Sequence, residues 1–403
     1  MNILIVSHQF YPLNSPRAFR WKLIYDDLKN KGHTVKIITG TFQEKSNDDI
    51  FFIGNQKSKT FINNVRTRSN QVDSNKMFIN FIYLILKKVY RLFYKTFAWP
   101  DYSMFWLYSV WKNRKHIDYQ YDVIISVSLP FSSHLAAYIL NKKNQKKWIM
   151  DIGDPFSLKE NAYENNKYLY KYLNFYIEKK FYNIAQQIIF THKESSDSHI
   201  NYFKINKEKI YIGSPISTFN DKLFEASKSY NYNTLPIKLG YFGVLTKGVR
   251  SPENTLKFFK NSDFEFNWYT NPDSKLMVTQ NKINLDNHKF FDMVSRDEAL
   301  DKMTSSLHCL LSIGNLNPGQ LPSKIIEYIS TGKPVIHFAE IDDDPVIQIS
   351  KQFNNLIIVN TDSNVPELKD KLNKIFLNID TFNKETFINN YSAEVITNNL
   401  DIL

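Results

Sequence analysis

The chain has a single cysteine among its 403 residues, so no disulfide can form within it. Cys309 lies inside an apolar run and reads as a core residue. Long apolar runs are missing as well. The longest, at 77–86, is about ten residues even with Asn80 inside it, too short to span a bilayer. The opening run at 1–6 lacks a basic start and is too short for a signal peptide, so a cytosolic location is expected. Neither an internal repeat nor a low-complexity tract stands out, and no nucleic-acid recognition motif accompanies the net charge of +11.

Two things are present in quantity: apolar residues, at 43 %, and positive charge. A chain of this length accommodates two domains, each with its own core. The charge is concentrated. Between Lys76 and His116 eight Lys/Arg face one acid, Asp101, so this segment alone carries +7. At about 100° per residue, Lys76, Asn80, Lys87, Lys88, Arg91 and Lys95 fall on one arc. Phe78, Phe81, Ile82, Ile85, Val89 and Leu92 fall opposite, with Leu84 and Phe93 as exceptions. A basic amphipathic helix of this kind lies in a membrane interface or packs on a core with its charged face in water. The aromatic residues that follow, Phe97, Trp99, Tyr102, Phe105, Trp106 and Trp111, favour the membrane.

The rest of the chain is organised around 307–338. An apolar run at 307–313 reads as a buried strand, followed by a loop with Gly314, Pro318 and Gly319. Pro322 suits the first position of a helix, expected to run to Thr331 and stop at Gly332. Residues 334–338 read as the next strand, completing a strand–loop–helix–strand unit of a parallel sheet. Ligands of such units sit beyond the carboxyl end of the first strand, where free N–H groups of the helix favour a phosphate. Lys324 adds a positive charge in the expected first turn, and Glu327, three residues on, could accept hydrogen bonds from ribose hydroxyls. Spacing alone favours an ordinary surface helix with a Lys/Glu pair.

The segment Pro322-Ser323-Lys324-Ile325-Ile326-Glu327-Tyr328 through Gly332-Lys333-Pro334-Val335-Ile336 resembles the donor-binding segment of family 4-like glycosyltransferases of the GT-B fold. The resemblance implies a metal-independent, retaining enzyme without a cofactor, built as two Rossmann-like α/β domains facing across a cleft. It implies Glu327 at the ribose, with Ser323, Lys324 and Gly319 in the donor site. The earlier glutamate often found eight positions before this one, with seven residues between, is replaced by Gly319, so the usual partner carboxylate is absent.

Weaker matches occur elsewhere. A strand at 2–6, the sequence Phe10-Tyr11-Pro12, a helix at 17–31 with Ala18, Trp21, Ile24, Tyr25 and Leu28 on one face, Gly32-His33 and a strand at 34–39 resemble the opening of the same family. The family's glycine pair is absent, and Arg17 and Arg20 stand there instead. Two readings of them remain open: a solvated helix face, or contact with an anionic group in the cleft as acceptor-side residues. Strands at 121–127 and 147–150 are followed by His134 and by Asp151-Ile152-Gly153-Asp154-Pro155, which look like the family's Pro-x-Ser-x-His and Asp-Pro elements. The resemblance puts His134 and Asp154 near the cleft as candidates for chemistry; an Asp-Pro turn is the plain alternative for Asp154. A Gly-containing loop after 237–242 carries Lys247 and Arg250, suited to a pyrophosphate; the resemblance favours that site over a surface turn. Asp342-Asp343-Asp344 resembles the metal triplet of the other glycosyltransferase fold and is discounted.

The expected layout is an acceptor-binding domain at 1–213, a linker at 214–236, a nucleotide-sugar domain at 237–385 and a helical segment at 386–403 crossing back to the first domain. The expected function is transfer of a sugar from a nucleoside diphosphate sugar to a hydroxyl of a glycan acceptor, lipid-linked, at the cytoplasmic face of the membrane. Contact with anionic lipid would come through 76–116, with no nucleic-acid partner and no metal. A nucleotide-sugar epimerase of the same fold and an inactive membrane-bound scaffold are the rivals.

Overall fold

The computed structural model describes residues 1–13, 15–42, 48–54, 96–117, 119–159, 164–281, 284–316, 321–322 and 324–402. The chain divides into two compact units, Met1–Gly213 with Thr397–Leu403, and Ser214–Ile396. Among the described residues no helix is long and apolar enough to cross a membrane. Most of the basic helix expected at 76–97 lies outside the described residues, as do Gly319 and Ser323.

The first unit runs β1 (Asn2–Val6), α1 (Pro16–Asn30), β2 (Thr34–Thr39), β3 (Ile50–Phe52), α2 (Met104–Asn113), β4 (Val123–Val127), α3 (Ser132–Asn144), β5 (Lys147–Ile152), α4 (Lys167–Ile184), β6 (Gln187–Phe190), α5 (Lys193–Phe203) and β7 (Ile210–Ile212). The strands form one parallel sheet in the order β3-β2-β1-β4-β5-β6-β7. Parallel strands are covered on both faces, so their residues form continuous apolar runs, as Ile3 to Val6 and Ile188 to Phe190 do. Helix α1 starts at the expected cap: Ser15 accepts a hydrogen bond from the Ala18 N–H, and Pro16 occupies the first turn. Its expected apolar face is buried, together with Arg20.

The second unit begins earlier than its first strand. Segment 214–236, expected as a linker, contains α6 (Asp221–Lys228), capped by Asn220. Phe224 on α6 packs where a side chain at Gly332 would stand, 2.4 Å from an added Cβ, and Gly332 has φ +72°. The glycine therefore serves both a left-handed turn and a ring contact. Then follow β8 (Lys238–Phe242), α7 (Glu253–Phe258), β9 (Glu265–Tyr269), α8 (Pro272–Thr279), β10 (His288–Phe291), α9 (Arg296–Ser305), β11 (Cys309–Ile313), α10 (Ile325–Ser330), β12 (Val335–Phe338), α11 (Val346–Ser350), β13 (Leu356–Val359), α12 (Val365–Leu377), α13 (Lys384–Tyr391) and α14 (Ala393–Thr397). The parallel sheet has the order β10-β9-β8-β11-β12-β13. The last residues, 397–402, pack in the first unit, where Lys31 donates from Nζ to Thr397 Oγ1 at 2.6 Å.

Both sheets reverse their winding at a central pair of strands, β1/β4 in the first unit and β8/β11 in the second. Loops at the carboxyl ends of such a pair diverge to opposite sides and leave a crevice, the usual ligand position in open α/β sheets.

Candidate functional site

In the second unit, the loops after β8 and β11 are tied to each other. The Leu316 N–H donates to the Val249 carbonyl at 2.8 Å, and Arg250 donates from Nη2 to Asn315 Oδ1 at 2.9 Å. The loop after β8 folds back on itself between Thr246 and Arg250, turning at Gly248 with φ +78°. Arg250 is half-buried, and its Nε is enclosed without a hydrogen-bond partner. Lys247, by contrast, stands exposed on the loop.

Helix α10 sits over the end of β8 through one side chain. The Tyr328 hydroxyl accepts from the Phe242 N–H at 2.9 Å and donates to the Phe242 carbonyl at 3.1 Å. Burial raises the Tyr328 phenol well above its ordinary pKa, and Glu327 and Arg250 both act electrostatically on that hydroxyl. Arg250 and Glu327 therefore lie around the same point. The helix is six residues long and starts at Ile325, because the turn from Pro322 places the Ile325 N–H on the Pro322 carbonyl at 3.1 Å. Lys324 consequently stands at the N-cap rather than inside the first turn, and Glu327 occupies that turn.

Glu327 is largely buried, at 11 % side-chain exposure, and is held from two sides. Arg296, the first residue of α9, donates from Nε to Oε1, and Lys324 Nζ lies 3.4 Å from Oε2. An ionised carboxylate has about four lone-pair sites, so hydroxyls can still be accepted beside these two cations. Arg296 carries no signal in local spacing, since it reaches Glu327 from 31 residues away.

A second carboxylate enters just past β12. Asn254 on α7 donates from Nδ2 to Glu340 Oε2 at 2.7 Å, while Glu340 Oε1 is enclosed without a partner. Burial raises its pKa, and Glu253 and Asp344 add to the effect. Gly314 makes room here: a Cβ would lie 3.1 Å from the Glu340 nitrogen and 2.5 Å from Asp344 Oδ2. Asp344 itself is buried against His337 Nε2 at 3.0 Å and accepts from the Val346 N–H at 2.9 Å. Within the acidic triplet that residue is thus committed to the fold, and among the described residues no group of three or more His, Cys, Asp or Glu could hold a metal ion.

In the first unit, Arg17 and Arg20 form no solvated face. Arg17 donates from Nε to the Ser128 carbonyl at 2.6 Å and places Nη2 3.2 Å from Asp151 Oδ2. The Trp21 indole also donates to Asp151 Oδ2, while Oδ1 is enclosed without a partner. Arg20 is 8 % exposed; burial pulls its pKa down to about 10 against the opposing effect of Asp151. Gly153 is required by this packing, because a Cβ there would lie 2.8 Å from both Arg17 Cζ and the Ser128 carbonyl. Asp151, a carboxylate inside an apolar strand, is the centre of this group; attention to the neighbouring Asp-Pro step passes over it.

Asp154 is exposed just beyond β5. His192 senses Asp154, Arg17 and Arg20, although burial is the largest influence and lowers its pKa. His134 is fully buried in the first turn of α3, with Nδ1 2.6 Å from Ser126 Oγ. Burial, with Arg17 adding to it, lowers the imidazole pKa to about 3, so the ring is neutral at physiological pH.

No family model matches this sequence, and neither does any curated protein. Solved structures do match over nearly the whole chain. A glycosyltransferase from Rickettsia africae overlays with a TM-score of 0.56 at 15 % identity, covering 98 % of this chain and 95 % of that one. Sucrose-phosphate synthase from Thermosynechococcus elongatus overlays with a TM-score of 0.61 at 11 % identity, covering 98 % and 96 %. WaaG, a glycosyltransferase involved in lipopolysaccharide biosynthesis, overlays with a TM-score of 0.52 at 11 % identity, covering 100 % and 96 %. A nucleotide-sugar epimerase also shares the fold. With these overlays and the two parallel sheets, the chain has the GT-B fold of two Rossmann-like α/β domains.

Proposed function

We propose that this protein is a family 4-like, retaining glycosyltransferase that moves a sugar from a nucleoside diphosphate sugar to a hydroxyl of a lipid-linked glycan. The observation that carries the reading is the group at the β8/β11 switch point: Lys324 and Arg296 on Glu327, with Arg250 held on the loop after β11 through Asn315. In this reading Glu327 takes the ribose, and Arg250, Lys324 and the exposed Lys247 meet the diphosphate. Negative charge grows on the diphosphate as the glycosidic bond breaks, so fixed cations there stabilise the transition state more than the ground state. No metal is required for that role. Ser323 and Gly319 complete the segment by resemblance, and Glu340 supplies a further carboxylate among the same loops.

On the acceptor side, Arg17 and Arg20 hold positive charge about Asp151, with Asp154 exposed nearby, a setting for an anionic acceptor group. Asp154 and His134 are the candidates for chemistry, Asp154 exposed and His134 buried with Nδ1 on Ser126 Oγ. The cytoplasmic face of the membrane is the proposed location, with 76–116 touching anionic lipid. In its described part, Phe105, Tyr108 and Trp111 are exposed on α2, and Arg114 lies 4.6 Å from the Trp111 ring centroid.

The test is product analysis with purified protein, a panel of UDP- and GDP-sugars, and a membrane lipid extract. Nucleoside diphosphate should be released only when the extract is present, with the sugar recovered on lipid. An isomerised sugar nucleotide formed without any acceptor would establish the epimerase instead, a reading kept by the shared fold.

A further inference from the structure

Helix α4 presents an unusual outer face. Tyr168 is 89 % exposed, Tyr172 82 % and Tyr176 64 %, and Leu169 and Leu173 are also exposed. At about 100° per residue, the three tyrosines, spaced by four, form one stripe with Leu169 at its edge. Isolated apolar side chains on a surface are ordinary, but a contiguous set of large ones marks an interaction surface.

The exposed charges of the helix have one sign. Lys179 is exposed within the stripe and Lys171 on its flank. The one acid of the helix, Glu178, is buried, where it accepts from the Ser157 N–H at 3.0 Å and from the Tyr182 hydroxyl at 2.7 Å. The opposite side of α4 is occupied by the fold itself: Asn174 accepts from the Trp99 indole at 3.0 Å, and Phe181 lies in the core. The tyrosine side is therefore held outward by a well-anchored helix.

From this arrangement we infer that α4 is a membrane-docking surface, with the three tyrosines at the headgroup level of an anionic bilayer and Lys171 and Lys179 on its phosphates. Tyrosine combines an apolar ring with a polar tip and concentrates at membrane–water interfaces. Lysine next to such rings gains from anionic lipid. Symmetric pairing with a second copy would bring lysines against lysines with no exposed acid on the helix to offset them, so charge favours the bilayer. The inference extends the membrane-surface reading above from 76–116 to a second, separate helix.

Vesicle flotation tests it, comparing phosphatidylglycerol mixed with phosphatidylcholine against phosphatidylcholine alone. The double variant Lys171→Gln/Lys179→Gln should lose affinity for the anionic vesicles by about five-fold per lysine, with little change on neutral ones. The triple variant Tyr168→Ser/Tyr172→Ser/Tyr176→Ser should lose binding to both. Unchanged thermal unfolding would show both variants folded, as expected for exposed side chains. Wild-type protein that binds neither vesicle overturns the inference. So does flotation of both variants equal to wild type; if Lys87, Lys88, Arg91 and Lys95 changed to glutamine then abolish binding, the 76–116 contact stands and the α4 one does not. A dimer of wild-type protein in sedimentation that the tyrosine variant dissolves, with vesicle binding unaltered, would assign the face to a second copy instead.

Discussion

Arg296 and Glu327 meet at the starts of two successive helices, Arg296 as the first residue of α9 and Glu327 in the first turn of α10. The guanidinium donates from Nε to Oε1, so the carboxylate is fixed in orientation before any ligand arrives. A prearranged acceptor loses little entropy on binding. Arg296→Ala should therefore weaken nucleotide-sugar affinity several-fold even though, in the proposed site, Arg296 touches no part of the nucleotide. Calorimetry of the folded variant checks this; affinity equal to wild type would mean that Glu327 needs no such support.

Lys247→Ala and Arg250→Ala should reduce turnover more than they change stability. The charge they are proposed to meet appears as the bond to the sugar breaks. Arg250→Ala should be the more costly for folding, because it also leaves Asn315 without its 2.9 Å donor. Turnover measured beside thermal unfolding separates the two effects, and normal turnover in both variants would make this loop a surface turn.

His134 should make the protein acid-sensitive. Its folded pKa, about 3, lies below the ordinary histidine value because the ring is buried and Arg17 is near. The unfolded chain therefore binds more protons between pH 6.5 and 3, and stability falls as pH drops through that window, by on the order of 5 kcal/mol in full. Urea unfolding at pH 7 and pH 4.5 should show a smaller loss in His134→Asn than in wild type. Identical pH slopes would contradict the placement of a neutral ring there.

Lys333 gives a second handle of the same sign on the alkaline side. It is fully buried, with Nζ donating to the Leu307 carbonyl at 2.8 Å and lying 3.6 Å from the Tyr230 ring centroid. Burial lowers its pKa to about 7, so the unfolded chain holds the extra proton from there up to about 10.5. Stability should rise from pH 7.5 toward 9.5, and Lys333→Met should flatten that rise. A flat wild-type profile would mean that the faces of Tyr230 and Tyr232 keep the ammonium charged.

Much of this was legible in the sequence where the physics is local. The strands at 2–6 and 34–39 fall on β1 and β2, and the helix at 17–31 on α1 within one residue, because buried parallel strands and capped helices carry their own patterns. Pro322 misleads as a helix start, since its carbonyl closes a turn before α10 begins. Segment 214–236 reads as a linker because Phe224 finds its partner at Gly332, far along the chain. In the candidate site, Arg250, Lys324 and Glu327 could be named from motif and spacing. Arg296, Glu340 and Asp151 could not, because each acts through a residue distant in sequence or through burial.

The central claim is most directly tested by calorimetric titration of wild-type protein and Glu327→Ala with a panel of UDP- and GDP-sugars. At least one should bind wild type, and Glu327→Ala, still folded, should bind it more weakly by about 1.5–3 kcal/mol for each charged hydrogen bond lost. Absence of binding by every nucleotide-sugar, or equal affinity in the folded variant, would contradict the assignment of the donor site.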